Sequence, residues 1–94
     1  MEKRKLYYVY YNLSNLRLTE YMEMPNNAIA VKSFIEFLEK PENKAQKQLF
    51  QLRVVADINE DESLTPHHAI IAKGTNAEEV FNKYVNELED SDNV

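Results

Sequence analysis

Ten consecutive residues near the middle of the chain, 49–58, alternate between apolar and mostly polar side chains. This alternation constrains the fold more than any other feature, because a period of two places successive side chains on opposite faces of a β-strand. The segment therefore predicts a strand with one face in the core. The apolar members of the pattern are Phe50, Leu52, Val54, Ala56 and Ile58.

The rest of the chain predicts three more strands and two helices. Aromatic and β-branched residues at 6–11 favour a first strand, and alternation over residues 16–24 favours a second. Residues 28–40 carry apolar side chains at helical spacing, between an asparagine that can cap the helix and Pro41, which ends it. Residues 64–73 favour a fourth strand. Thr75 and Glu78 then fit a capping box for a second helix that runs to about Glu89.

The predicted order is strand–strand–helix, repeated once, which is ββαββα. We expect an α+β fold in which two amphipathic helices pack on one face of a mostly antiparallel, four-stranded sheet. A chain of 94 residues has room for one domain, which we place at residues 1–90, followed by an acidic tail at residues 91–94. The other face of the sheet is left for solvent or a partner.

The composition excludes several kinds of site. The chain has no cysteine, so disulfides, thiolate metal sites and a cysteine nucleophile are absent. Its single glycine excludes glycine-rich phosphate loops. His67 and His68 are consecutive strand residues, whose side chains point to opposite faces, so we expect no metal site there. No serine has a convincing partner base, and we expect neither an enzyme nor a cofactor. No segment resembles a membrane span or a signal peptide.

The net charge of −5 argues at first against nucleic acid as a partner, but the charge is unevenly distributed. Residues 1–53 contain nine Lys and Arg against six Asp and Glu, whereas residues 54–94 contain two against ten. The first half is therefore basic and tyrosine-rich, and the second half is acidic. The overall charge does not exclude DNA, although it predicts weak, salt-sensitive binding.

The open face of the sheet is the candidate functional surface. Either Tyr8 and Tyr10, or Tyr7, Val9 and Tyr11, lie on it, and we favour the first pair. Tyrosines next to cations suit single-stranded nucleic acid, because bases stack on the rings while the cations contact phosphates. The predicted binding residues are the arm Lys3, Arg4 and Lys5, the tyrosines Tyr8 and Tyr10, and the cations Arg17, Arg53 and Lys73.

A protein interface is the alternative interpretation of the same pattern, since Tyr and Arg are also enriched where proteins meet. In that case the chain is a small acidic interaction module that binds or inhibits another protein. The predicted contacts are then Glu60, Asp61 and Glu62. We also expect a homodimer, formed through a sheet edge or face.

Two segments resemble the small non-structural proteins of gokushoviruses and related Microviridae phages. Residues 24–34 resemble their pattern P-N-x-A-V/I-A-x-R/K-x-F, and residues 49–66 resemble D/Y-F-x-L-Y/F-x-I/V-G-x-F/Y-D/N-x-E/D-T/S-G-x-I/L-x-P. The aromatic run at residues 7–12 also suits the first strand of these proteins. The chain lacks both glycines of the second pattern.

The resemblance implies a bacteriophage protein that is made in the cytoplasm of the bacterial host and is absent from the virion shell. Such proteins are generally assigned to viral DNA replication and are often described as DNA-binding. The resemblance transfers no catalytic residue. It favours single-stranded DNA binding in viral DNA replication or packaging over the interaction module, whose partner would then be a host or viral protein.

Overall fold

The computed structural model describes residues 4–12, 16–17 and 20–92, and in this part of the chain the elements follow the predicted order. The strands are β1 (Arg4–Tyr11), β2 (Leu16–Arg17), β3 (Met22–Met24), β4 (Phe50–Ile58) and β5 (Leu64–Lys73). The helices are α1 (Asn27–Glu39), α2 (Pro41–Lys44) and α3 (Ala77–Asp92), with a 3-10 turn at Lys47–Leu49. The predicted α+β class is confirmed.

All the strands belong to one open antiparallel sheet. β1 pairs with β4, and β4 pairs with β5, which forms one end of the sheet. At the other end, β2 and β3 both pair with the free side of β1. The two short strands therefore occupy one position, and the sheet is four strands wide.

A continuous second strand over residues 16–24 is the one strand prediction that is wrong. Tyr10 pairs with Arg17 and Tyr7 pairs with Met22. Two residues of β1 separate these pairs, whereas four residues, 18–21, separate them on the opposite strand. Because the opposite strand has two extra residues, it cannot stay in register, and the strand is split into β2 and β3.

The core lies between the sheet and the two long helices, as the alternation predicts. Burial along β4 alternates from its first residue to its last, and Phe50, Leu52 and Val54 belong to one core cluster with residues of α1. The sheet contributes Tyr7, Val9, Phe50, Leu52, Val54 and Ala72, and the helices contribute Ala30, Val31, Phe34, Leu38 and Ala77. The opposite face of the sheet carries no helix in the described part of the chain.

The helix ends follow local side-chain chemistry. Asn26 caps α1, accepting a hydrogen bond from the backbone N of Ile29 at 2.9 Å, and Pro41 begins the separate helix α2. α3 begins at Ala77, so Asn76 rather than Thr75 precedes it, and Asn76 Oδ1 accepts from the backbone N of Lys73 at 2.8 Å. Asn76 thus occupies the position predicted for Thr75, and its side chain bonds Lys73 instead of forming the predicted capping box with α3.

The last residues of the chain extend the helix further than predicted. Ser91 and Asp92, which we assigned to the acidic tail, belong to α3. Asn93 and Val94 lie outside the described residues. No helix of the described part is long and apolar enough to cross a membrane.

Candidate nucleic-acid interface

The sheet face opposite the helices is built on two neighbouring rows of paired residues. The first row contains Tyr8, Arg53 and Ile70, and the second contains Tyr10, Gln51 and Lys73. Because Tyr7 and Val9 lie in the core, the alternate residues of β1 point the other way. Of the two alternatives for β1, the structure therefore has Tyr8 and Tyr10 on the face opposite the helices. We call these six residues, together with Tyr21 and His68 beside Tyr8, the open face.

Arg53 lies at the centre of the open face. Its guanidinium carbon is 3.7 Å from the centre of the Tyr10 ring, a cation–π contact. Its Nε and Nη2 donate to Gln51 Oε1 at 3.1 and 2.7 Å, and its Nη1 donates to the Tyr8 hydroxyl oxygen at 3.4 Å. Its partners are neutral, and among the described residues no carboxylate forms an ion pair with it. The positive charge of Arg53 is thus held in place by neutral groups, without a described carboxylate as counter-ion.

Tyr8 is covered by its neighbours. The Tyr21 ring packs edge-on against it, with ring centres 5.9 Å apart, and the His68 ring lies 6.1 Å away. As a result Tyr8 is only 9% exposed, whereas Tyr21 is 53% exposed. The prediction that Tyr8 offers a surface for base stacking is therefore not met in this arrangement. The exposed ring beside it is Tyr21.

The predicted basic arm is instead part of a strand and is paired with acidic groups. Arg4 and Lys5 belong to β1, and Lys3 lies outside the described residues. Arg4 forms ion pairs with Glu23 and Glu62, and Lys5 Nζ is 2.7 Å from Asp57 Oδ1. This hydrogen bond from Lys5 is the main cause that lowers the pKa of Asp57. The basic and acidic halves of the sequence meet here, and neither cation is free for a phosphate.

The remaining predicted cations lie towards the opposite end of β4. Lys73 is exposed at the end of β5, in the same row as Tyr10. The backbone of Arg17 pairs with Tyr10 and continues this row, while its side chain lies outside the described part. Arg53, Lys73 and the Arg17 backbone thus share one end of the sheet, away from the acidic turn.

The acidic turn joins β4 to β5 and is exposed, but its three acids differ. Glu60 is exposed to solvent. Asp61 Oδ1 accepts hydrogen bonds from the Ser63 hydroxyl and backbone N, and these bonds lower the pKa of Asp61. Glu62 is paired with Arg4 at 2.6 Å and has a positive φ of 70°. Of these three acids, Glu60 alone has no such contact with another residue that the structure describes.

His67 and His68 both contact groups on the face opposite the helices, so the prediction that they point to opposite faces is wrong. His67 Nδ1 is 3.6 Å from Asp57 Oδ1, while His68 Nε2 is 3.1 Å from the Tyr8 hydroxyl oxygen. Among the described residues, no group of three or more His, Asp or Glu side chains could hold a metal ion.

The open face includes one contact that the sequence prediction missed, His68. Tyr21 follows the alternation of polar side chains over residues 16–24, which places it on this face. His68 had no such signal, because its position depends on how β4 and β5 are paired. A separate cleft of about 540 Å³ lies between α1 and the start of α3, next to Lys44 and Lys47.

These features define a small α+β protein with one helix-covered and one uncovered sheet face. Comparison of the chain with protein-family models, curated proteins and solved structures finds no match.

Proposed function

We propose that the protein binds single-stranded DNA through the open face and is not an enzyme. The observation that carries this proposal is the state of Arg53. Its charge is not neutralised by a described carboxylate, and it lies on the Tyr10 ring beside the exposed ring of Tyr21. A single DNA strand that lies along this surface would stack a base on a tyrosine ring and place a phosphate beside a cation within one site.

The residues of the site differ from the full predicted set. Arg53, Lys73 and Arg17 are the proposed phosphate contacts, and Tyr10 and Tyr21 are the proposed aromatic contacts. Arg4 and Lys5 contribute less, because a phosphate would have to displace their carboxylate partners. With so few cations, binding should be weak and strongly salt-dependent.

The resemblance to gokushovirus proteins extends the proposal to viral DNA replication or packaging in the bacterial host cytoplasm. We also propose that the protein is a homodimer, formed through a sheet edge or face. Ile70 on the edge strand β5 is 48% exposed, which supports an interface there. Sedimentation at tens of micromolar tests this, and a mass near 11.1 kDa would contradict it.

The protein-interaction alternative has less support. Of its three proposed contacts, Asp61 is bonded to Ser63 and Glu62 is paired with Arg4, which leaves Glu60 for a partner. Replacing Glu60, Asp61 and Glu62 with glutamines should abolish capture of a specific partner if the alternative is correct.

A salt titration tests the DNA proposal. Fluorescence anisotropy of a labelled oligonucleotide of about 12 nucleotides should show binding at ~50 mM salt that weakens steeply as salt rises. Arg53→Gln should lower affinity and reduce the salt slope by about one unit. Lys32→Gln, an exposed cation on α1, is the matched control and should change neither. Absence of binding at ~50 mM salt would overturn the proposal.

A further inference from the structure

A second basic side chain, His68, meets Arg53 at a single oxygen atom of the open face. The Tyr8 hydroxyl oxygen is 3.1 Å from His68 Nε2 and 3.4 Å from Arg53 Nη1. These three side chains come from β5, β1 and β4, so three neighbouring strands converge on this one phenol.

An irregularity in the pairing of β4 and β5 brings His68 to this position. Val54 pairs with Ala69 and Ala56 pairs with Pro66, so both histidines lie opposite Val55 alone. Two residues facing one is the arrangement of a β-bulge, which redirects side chains. His67 reaches Asp57, and His68 reaches across β4 to Tyr8.

The protonation state of His68 decides how these groups interact. Arg53 can only donate hydrogen bonds, so the Tyr8 oxygen accepts from it and the Tyr8 proton is available for a neutral His68 Nε2. When His68 is protonated, Nε2 becomes a donor as well. Two cations then face one neutral oxygen and repel each other. An anion placed between them would remove this repulsion and accept hydrogen bonds from both.

We propose that Arg53 and protonated His68 together bind one phosphate group of the DNA strand. This inference rests on the proposed function and adds His68 to its site. The titratable or charged neighbours of His68 are Tyr8 on β1, Tyr21 beside Tyr8, Arg53 on β4, and His67 on β5. Among the described residues, no carboxylate forms an ion pair with His68, so the phosphate would be its counter-ion. Binding therefore takes up a proton.

The pH dependence of oligonucleotide binding tests this inference. At a fixed salt concentration of ~50 mM, affinity should rise by about five- to tenfold between pH 7.5 and pH 5.5. His68→Gln should abolish the rise, because the side chain then takes up no proton. His67→Gln is the matched control and should retain the rise.

The outcomes separate this inference from the proposed function. Binding that is equally tight at both pH values, or a rise that persists in His68→Gln, overturns the His68 subsite and leaves DNA binding standing. Absence of binding at both pH values overturns both.

A second measurement does not depend on the oligonucleotide. The Cε1 proton of His68, followed by NMR, should titrate at a higher pH when millimolar inorganic phosphate is added, and Arg53→Gln should remove this change. If the pH at which the His68 signal changes is the same with and without phosphate, the proposed His68 subsite is overturned.

Discussion

The Tyr7 hydroxyl donates a hydrogen bond to Asn27 Oδ1 across 2.6 Å, and this bond joins the core face of β1 to the first residue of α1. Tyr7 is fully buried. Burial raises the pKa of Tyr7 well above its usual range, and the neighbouring Tyr84 and Asp57 add to the shift. The phenol therefore holds the sheet and the helix layer together in its protonated form.

Tyr7→Phe should destabilise the protein by about 1 kcal/mol, because Asn27 loses its partner. The difference in the free energy of unfolding between Tyr7→Phe and the unchanged protein should shrink as the pH rises above about 10, the pKa of a tyrosine in the unfolded chain. Above that pH the unfolded chain ionises while the folded chain does not, so the stability of the unchanged protein falls as pH rises.

Urea unfolding at pH 8 and at pH 10.5 measures this effect. Tyr11→Phe is the control, since its hydroxyl is bonded to the exposed Gln46, and it should cost less. A Tyr7→Phe variant as stable as the unchanged protein at pH 8 would show that the hydrogen bond contributes nothing.

Gly74→Ala should destabilise the protein by about 3 kcal/mol, near the upper end for overpacking. A Cβ at this position would lie 1.6 Å from the Lys47 carbonyl oxygen. The neighbour is backbone rather than a flexible side chain, so the connection before β4 has to move. Thermal unfolding measures the loss, with Thr75→Ala, at an exposed position, as the control. A melting temperature that is the same in both variants would contradict the close approach.

Glu62→Gly should stabilise the protein by about 0.5 kcal/mol. Glu62 ends the turn between β4 and β5 with a φ of 70°, a conformation that costs a side chain about 1 kcal/mol. The lost ion pair with Arg4 is exposed and worth less than this, and Arg4 keeps Glu23. Glu62→Gln removes the charge and keeps the side chain, so it should be slightly destabilising. If both variants lose equal stability in urea, the ion pair rather than the backbone is decisive.

Asp57→Asn should cost about 1 kcal/mol at neutral pH, because it breaks the partly buried pair with Lys5. The pKa of Asp57 is lowered in the folded protein, chiefly by the hydrogen bond from Lys5. Its contribution is therefore fully present above the pKa of an unfolded aspartate, about 3.9, and is lost as pH falls through the folded value. The difference between the two proteins should shrink below about pH 4.

Urea midpoints between pH 7 and pH 2.5 follow this loss. Glu60→Gln, on the exposed turn, is the control and should track the unchanged protein throughout. If the urea midpoints of Asp57→Asn and the unchanged protein differ by the same amount down to pH 2.5, the ionised Asp57 carboxylate is not the source of the stability difference.

The core strand β4 was predictable from sequence because its burial follows the local alternation at every position. The cap at Asn26 and the break at Pro41 were predictable for the same reason, since their chemistry is local. The split between β2 and β3 was not predictable from sequence. The same alternation of side chains occurs whether a strand pairs in register with its neighbour or has two extra residues opposite it.

The open face was predictable only in part. The alternation of side chains along β1 left two alternatives, of which one placed Tyr8 and Tyr10 on the open face. The alternation along β4 placed Arg53 on the same face. Whether a cation is neutralised depends on residues far away in sequence: Arg4 pairs with Glu62, 58 positions later. The cover over Tyr8 likewise comes from His68, 60 positions away, and no local pattern encodes that contact.

Tyr21→Ala should separate ring stacking from charge on the open face. Tyr21 is an exposed ring of this face and also packs against Tyr8. Under the proposed function, loss of this ring should weaken oligonucleotide binding by about tenfold, since one stacked base is worth about 1–3 kcal/mol. The salt slope should stay unchanged, because no phosphate contact is lost. Ile29→Ala, an exposed apolar residue of α1, is the control for general loss of apolar surface and should bind normally. Unchanged affinity in Tyr21→Ala, with the urea midpoint preserved, would show that bases do not stack on Tyr21.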